Sequence, residues 1–194
     1  MTDKGLQLIM DFEGLPKKNP LDAYWDSYGK VWTIGYGATH YADGTPVKKG
    51  DKLKSKQEAI ELLRNMVRSY EKSVDKLLSV ELNPYQHDAL TSFAYNCGVG
   101  NLSKSTLLKK VNKNPNDVTI KNEFAKWNRS GGKILSGLTR RRKAESELYF
   151  TPYIKKTTEE KVIETPVEVK EKPVVVKEEK PVKKNILGWF SRFK

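Results

Sequence analysis

Several features that often decide a protein's class are scarce or missing in this sequence. Only one cysteine is present, Cys97, so an internal disulfide is excluded and we expect a fold that is stable through packing alone. An apolar run long enough for a signal peptide or a membrane span is missing as well. We therefore expect a chain that is made and kept in the cytoplasm, without a signal peptide, until another protein lets it through the membrane.

Metal-binding and nucleic-acid-binding motifs are also missing. The two histidines, His40 and His87, have no cysteine or histidine partner at metal-ligand spacing, and no P-loop, zinc-finger or RNP-like pattern occurs. The sequence thus predicts no metal, no cofactor and no nucleic-acid partner. Its 36 Lys and Arg against 24 Asp and Glu give a net charge of +12, which favours an anionic partner such as a cell wall or a membrane.

A change in composition near residue 155 divides the chain. Residues 1–154 contain the capping and turn signals of one folded domain, which we expect to be monomeric. Residues 155–184 consist almost wholly of Lys, Glu, Val, Pro and Thr, which predicts a disordered linker. In residues 185–194 the apolar side chains would share one side of a short cationic helix. That pattern predicts binding to an anionic membrane, with docking on the folded domain as the alternative.

Within residues 1–154 the pattern predicts an α+β fold in which helices dominate. An apolar helical face leads to Glu13, so a first helix ends there before Gly14. Residues rich in β-formers at 24–26 and 31–36, separated by a glycine turn, predict a hairpin. Only helices are predicted after it, beginning at the capping signals of Ser55 and Asn83 and continuing over residues 105–112, 117–127 and 137–149.

Two carboxylates near the N-terminus fit the chemistry of a glycosidase, which pairs a general acid with a second carboxylate. Glu13 ends an apolar helical face, where partial desolvation would help it to keep a proton. Asp26 lies beside the hairpin turn, where a carboxylate stays hydrated and ionised. Asp22 has the same strand parity as Asp26 and is the alternative; the local pattern around the hairpin favours Asp26.

Three segments around these carboxylates resemble the phage-type muramidases, the lysozymes of glycoside hydrolase family 24. They are Phe12-Glu13-Gly14-Leu15, Ala23-Tyr24-Trp25-Asp26 and Trp32-Thr33-Ile34-Gly35-Tyr36-Gly37. The resemblance continues in residues 83–98 and 131–142 and covers roughly residues 3–150. One departure is that twelve residues separate Glu13 from Asp26, where the family usually has eight. The surplus falls in a predicted loop, which tolerates insertion.

The resemblance implies a lysozyme-like fold and an endolysin that hydrolyses the β-1,4 bond between N-acetylmuramic acid and N-acetylglucosamine in peptidoglycan. It implies an inverting reaction in which Glu13 protonates the glycosidic oxygen while Asp26 and Thr33 position water. Arg141 is the arginine expected beside Glu13, and the side chains expected to contact the sugar chain are Tyr36, Gln86 and Asn96. The alternatives are a lytic transglycosylase and a non-catalytic wall-binding virion protein; intact Asp26 and Thr33 favour hydrolysis.

Overall fold

The computed structural model describes residues 1–154, so the predicted linker (155–184) and the predicted membrane-binding segment (185–194) lie outside the described residues. Within residues 1–154 the fold is α+β and mostly helical, as the sequence predicts. In chain order the elements are α1 (Asp3–Glu13), β1 (Tyr24–Asp26), β2 (Val31–Thr33), α2 (Lys56–Asp75), α3 (Pro84–Cys97), α4 (Val99–Lys104), α5 (Thr106–Lys113), α6 (Ile120–Ala125), β3 (Arg129–Ser130), β4 (Lys133–Ile134) and α7 (Ser136–Tyr149).

The first helix ends where the sequence predicts. Thr2 caps its N-terminus by accepting a hydrogen bond from the Gly5 amide, and Leu6 and Ile9 are buried on its inner face. Gly14 stops the helix with φ 68° and ψ 166°, a conformation in which a residue with a Cβ is strained. Glu13 is therefore fixed in the last position of α1, directly before a sharp change of chain direction.

The next two helices begin at the predicted caps. The Ser55 side chain accepts from the Glu58 amide at the start of α2. Asn83 and Gln86 form a complete capping box at the start of α3, with Pro84 in the first turn. These local signals are strong because each cap satisfies backbone amides that the helix itself leaves free.

Several details of the chain differ from the prediction, among them α4, which was not predicted. The helix predicted over 117–127 begins only at Ile120, because Asp117 accepts hydrogen bonds from the Thr119 amide and hydroxyl and holds a turn there. The strand predicted to reach residue 36 ends at Thr33. A second hairpin, β3–β4, was not predicted; its turn contains Gly131 and Gly132, both with positive φ.

The core is built around α3. Its buried residues Leu90, Phe93 and Ala94 pack with apolar side chains of α5, α6 and α7 in the largest hydrophobic cluster. A smaller cluster of buried residues, which includes Leu6 and Ile9, joins α1 to α2. A third cluster packs the first hairpin against α2. This packing brings α1 and α7 together beside α3. None of the helices within residues 1–154 is both long and apolar enough to cross a membrane.

Candidate active site

Glu13 meets Arg141 at the junction of α1 and α7. Arg141 Nη1 donates a hydrogen bond to Glu13 Oε1 at 2.6 Å. The Arg141 side chain is 5% exposed and the Glu13 side chain 28% exposed, so one partner is buried while the other still reaches solvent. Arg141 also lies 5.6 Å from the centre of the Phe12 ring, which supports its guanidinium from the side of α1. Of the three consecutive arginines at 140–142, Arg141 is thus the one that the structure shows bonded to Glu13.

The hairpin presents two different faces because side chains alternate along each strand. Its register pairs Tyr24 with Thr33, Trp25 with Trp32 and Asp26 with Val31. Tyr24, Asp26 and Thr33 therefore share one face, and the two tryptophans share the other, where their rings pack edge to face at 5.6 Å. Thr33 is buried, while Asp26 is partly exposed and accepts a hydrogen bond from the Tyr28 amide at 3.0 Å.

Tyr24 lies in the electrostatic field of both candidate carboxylates. Burial raises the pKa of Tyr24, and the charges of Asp26 and Glu13 raise it further, so the phenol stays neutral at physiological pH. Tyr95 on α3 has its pKa raised first by burial and then by the charge of Glu13. Both phenols therefore lie close enough to Glu13 for its charge to raise their pKa values.

The alternative carboxylate, Asp22, is engaged elsewhere. Its side chain forms an ion pair with Lys52, 3.1 Å from Oδ1 to Nζ, and the two residues form an isolated antiparallel bridge. Asp22 therefore ties the approach to the hairpin to the loop before α2. The charge of Asp26, by contrast, acts on Tyr24 together with that of Glu13.

A cavity of about 710 Å³ opens beside Glu13. Asn96 and Arg141 contribute to its wall, and the remaining lining comes from α1, the segment before α7 and the first turns of α7: Asp11, Phe12, Leu135, Ser136, Gly137, Leu138 and Arg140. Asp26 and Thr33 lie outside this lining, on the hairpin. Glu13 thus borders the cavity, while its charge also acts on Tyr24 of the hairpin.

The other two residues predicted to contact the sugar chain occupy different places. Tyr36 packs partly buried between the two smaller hydrophobic clusters, and its carbonyl accepts from the Tyr95 hydroxyl at 3.4 Å. Gln86 is buried at the N-terminus of α3, where its side chain bonds the Asn83 amide and the Pro115 carbonyl. Asn96 lies ten positions further along α3, a distance of about 15 Å along the helix.

A buried ionic cluster behind Arg141 was not predicted. Glu145, fully buried on α7, accepts hydrogen bonds at Oε1 from Arg141 Nε at 3.3 Å, Arg142 Nη2 at 2.9 Å and Ser92 Oγ at 2.8 Å. Arg142, also buried, donates to Asn96 Oδ1 at 2.9 Å. The signal in the sequence was the spacing of Glu145, three and four residues after two arginines, which places all three side chains on one side of a helix.

One group of side chains has the composition of a cation site. Glu71, His87 and Asp88 have their ligand atoms within 4.8 Å of one another. Each already has a partner: Glu71 pairs with the Met1 ammonium group, His87 with Asp75 and Asp88 with Thr2. These contacts tie the start of the chain to α2 and α3, and they account for the group as an ionic and hydrogen-bonded anchor.

Sequence comparison places the whole site in one family. Residues 10–145 match the Phage lysozyme family, a range that contains Glu13, Asp26, Thr33 and Arg141. The endolysin of Bacillus phage B103 is 42% identical over 160 residues, which are 82% of this chain and 57% of that relative. The chain therefore spans little more than half of that relative's length. The endolysin of Acyrthosiphon pisum secondary endosymbiont phage 1 is 35% identical over 77% of this chain and 97% of its own length.

The fold has the same relatives. The solved endolysin from Escherichia coli O157:H7 phage FAHEc1 superposes with a TM-score of 0.66 at 35% identity, covering 77% of this chain and 92% of that structure. The α+β fold is therefore lysozyme-like, as the resemblance implied. The matched range, the sequence identities and the shared fold agree, and this chain belongs to the phage lysozyme family.

Proposed function

We propose that this chain is an endolysin that hydrolyses the β-1,4 bond between N-acetylmuramic acid and N-acetylglucosamine in bacterial peptidoglycan. The observation that carries the proposal is the position of Glu13, held at the end of α1 by Arg141 and bordering a cavity. Its family membership supports the same reaction, since the relatives that share the fold are named endolysins. The net charge of +12 adds long-range attraction to an anionic cell wall.

Glu13 is the proposed general acid. Arg141 Nη1 occupies Oε1, which leaves Oε2 to carry the proton to the glycosidic oxygen. With the carboxyl group held at one oxygen, its second oxygen points in a defined direction and loses little rotational freedom during the reaction. The partly exposed position of Glu13 lets a polysaccharide reach it without opening the core.

Asp26 and Thr33 are the proposed water-positioning pair. They lie on the same face of the hairpin, beside Tyr24, and Asp26 is held at one oxygen by the Tyr28 amide. A carboxylate and a hydroxyl on that face would orient water for attack on the side of the sugar opposite Glu13, which inverts the anomeric carbon. No metal and no cofactor enters this reaction.

The evidence for the proposed sugar contacts differs from residue to residue. Asn96 lines the cavity beside Glu13 and has the strongest case. Tyr36 is half-buried close to Tyr95, which favours a place at the cleft floor. Gln86 remains in the proposal only as a support for α3, because its amide is committed to the capping box and to Pro115.

The deciding experiment measures the clearing of purified cell walls and the chemistry of the released ends. We expect turbidity to fall and new reducing ends to appear with inverted configuration. Anhydro-muramic ends would instead assign a lytic transglycosylase, and retained configuration would reject the role given to Asp26. A wall suspension that stays turbid while the protein binds to it would identify a non-catalytic wall-binding protein.

The C-terminal residues carry a second, separable proposal, which rests on sequence alone. In residues 185–194 the apolar Ile186, Leu187, Trp189, Phe190 and Phe193 are accompanied by Arg192 and Lys194. We propose that this segment binds an anionic membrane, that residues 155–184 tether it, and that a monomeric domain of residues 1–154 waits in the host cytoplasm until release.

Deleting residues 155–194 separates the two activities. We expect hydrolysis of purified wall to stay within about twofold of the full chain, while binding to vesicles rich in anionic lipid is lost. Vesicles of neutral lipid serve as the control. Equal vesicle binding by the truncated chain would refute the membrane role, and loss of wall hydrolysis would refute the boundary at residue 154.

A further inference from the structure

Glu145 is a fully buried carboxylate that the proposed reaction does not use. Oε1 accepts from Arg141, Arg142 and Ser92, and Oε2 lies 2.8 Å from Arg142 Nε. Arg141 in turn reaches Glu13 through Nη1. The guanidinium of Arg141 therefore bonds both the buried carboxylate of Glu145 and the carboxylate of Glu13 beside the cavity.

The charges of this cluster are unusually concentrated for a protein core. The Arg141 and Arg142 side chains are 5% and 1% exposed, and buried charges are tolerated only when they are paired. Burial raises the pKa of Glu145, whereas the two guanidinium groups and the Ser92 hydroxyl favour its ionised form. Arginine does not lose its proton in proteins, so a neutral Glu145 would leave Arg141 with Glu13 and Arg142 with the Asn96 oxygen and the Cys97 sulfur. Pairing of both buried guanidinium groups therefore favours the ionised form of Glu145.

We propose that Glu145 is a positioning residue that keeps the proton on Glu13. The inference rests on the proposed function, in which Glu13 must be protonated before each turnover. When Glu13 is protonated, two arginines and one carboxylate remain, and their net charge is one positive unit. Without Glu145 that charge doubles, and the field of two uncompensated guanidinium groups drives the proton off Glu13. Glu145 also fixes the direction of Arg141 by accepting from Nε.

Other groups near Glu13 do not replace this effect. Their charges are the same in every variant considered below, so they do not alter the comparison. They are Asp11 on α1, Arg140 on α7, Asp26 and the neutral Tyr24 on the hairpin, and, on α3, the neutral Tyr95 and Cys97, whose thiol has its pKa raised by burial. Glu145 is the one anion among the described residues that bonds both buried arginines.

The pH dependence of wall hydrolysis tests the proposal. Glu145→Gln keeps the shape of the side chain and removes the charge, so we expect the alkaline limb of the rate profile to move about one pH unit towards acid. Arg142→Met removes the second cation and should move the same limb in the opposite direction. The matched control is Glu147→Gln, two residues along α7, whose exposed carboxylate pairs with Lys143 and should leave the limb unchanged.

Each result has a defined meaning. Opposite displacements in the two variants, with the control unmoved, support the role of Glu145. A Glu145→Gln variant that is less heat-stable but keeps the wild-type profile would show a merely structural role and overturn the proposal. If Glu145→Gln does not fold, an unmoved limb in Arg142→Met overturns it equally, and a displaced limb supports it. Failure of the wild-type chain to hydrolyse wall would count against the proposed function instead.

Discussion

Arg141 donates a hydrogen bond to Glu13 across 128 residues of sequence, which joins the end of α1 to α7. The contact orients the proposed acid and also places a positive charge beside it. These two effects oppose each other, because a cation favours the ionised carboxylate while catalysis requires the protonated one. Glu145, which accepts a hydrogen bond from Arg141, supplies a negative charge that offsets part of this positive charge.

Replacing Glu13 with Gln should abolish most of the activity. The amide keeps the size of the side chain but supplies no titratable proton, so we expect hydrolysis of purified wall to fall by about 10²–10⁴-fold with folding retained. Circular dichroism verifies the fold. Glu61→Gln on the exposed face of α2 is the control. Turnover close to wild type in Glu13→Gln would remove Glu13 from the mechanism.

The second carboxylate can be identified by a matched pair of substitutions. Asp26→Asn should reduce wall hydrolysis by at least about 10²-fold, since it removes the base that activates water. Asp22→Asn breaks an ion pair with Lys52 that is largely exposed, so its effect on rate should be within a few fold. The reverse ranking would transfer the role to Asp22.

The hydroxyl of Thr33 can be tested without changing its volume. Thr33→Val keeps the buried branched shape and removes the hydroxyl, whereas Thr33→Ser keeps the hydroxyl. We expect the valine variant to lose about tenfold or more in rate at unchanged melting temperature, and the serine variant to retain most of it. Equal rates in the two variants would limit Thr33 to packing.

Gly14 should matter for stability. Its φ of 68° and ψ of 166° are strained for any residue with a Cβ, and an added Cβ would meet no described atom within 4 Å. Gly14→Ala should therefore cost about 1–3 kcal/mol of unfolding free energy through backbone strain alone. Thermal unfolding measures it, with Gly137→Ala in α7, where space is also open, as the control. Equal stability of the two variants would contradict the strain.

Glu123 should make the domain sensitive to acid. Hydrogen bonds from Lys126 first, and then from Thr106 and Lys110, lower the pKa of Glu123 to about 2. A carboxylate with a lowered folded-state pKa stabilises the fold above its unfolded pKa, and this stabilisation is lost as pH falls through the folded value. Wild-type stability should thus decline between about pH 5 and 2, and Glu123→Gln should decline less. Parallel pH curves for the two proteins would contradict this.

Local signals in the sequence determined much of the fold. The caps at Ser55 and Asn83, the stop at Gly14 and the alternation of the hairpin follow from backbone bonding and side-chain size, which act over a few residues. The same local patterns carried the family resemblance and the candidates Glu13, Asp26 and Thr33. The linker and the membrane-binding segment remain predictions, since they lie outside the described residues.

Only the tertiary structure decided which distant groups meet. Three consecutive arginines are equivalent in a sequence, and packing of α7 against α1 and α3 places Arg141 on Glu13 and Arg142 on Asn96. The same packing buries Glu145 beside both arginines, and the fold brings the Gln86 amide to the distant Pro115 carbonyl. Contacts between distant segments depend on how whole helices fill the core, because the direction of a long side chain is set by its neighbours in space rather than by its neighbours along the chain.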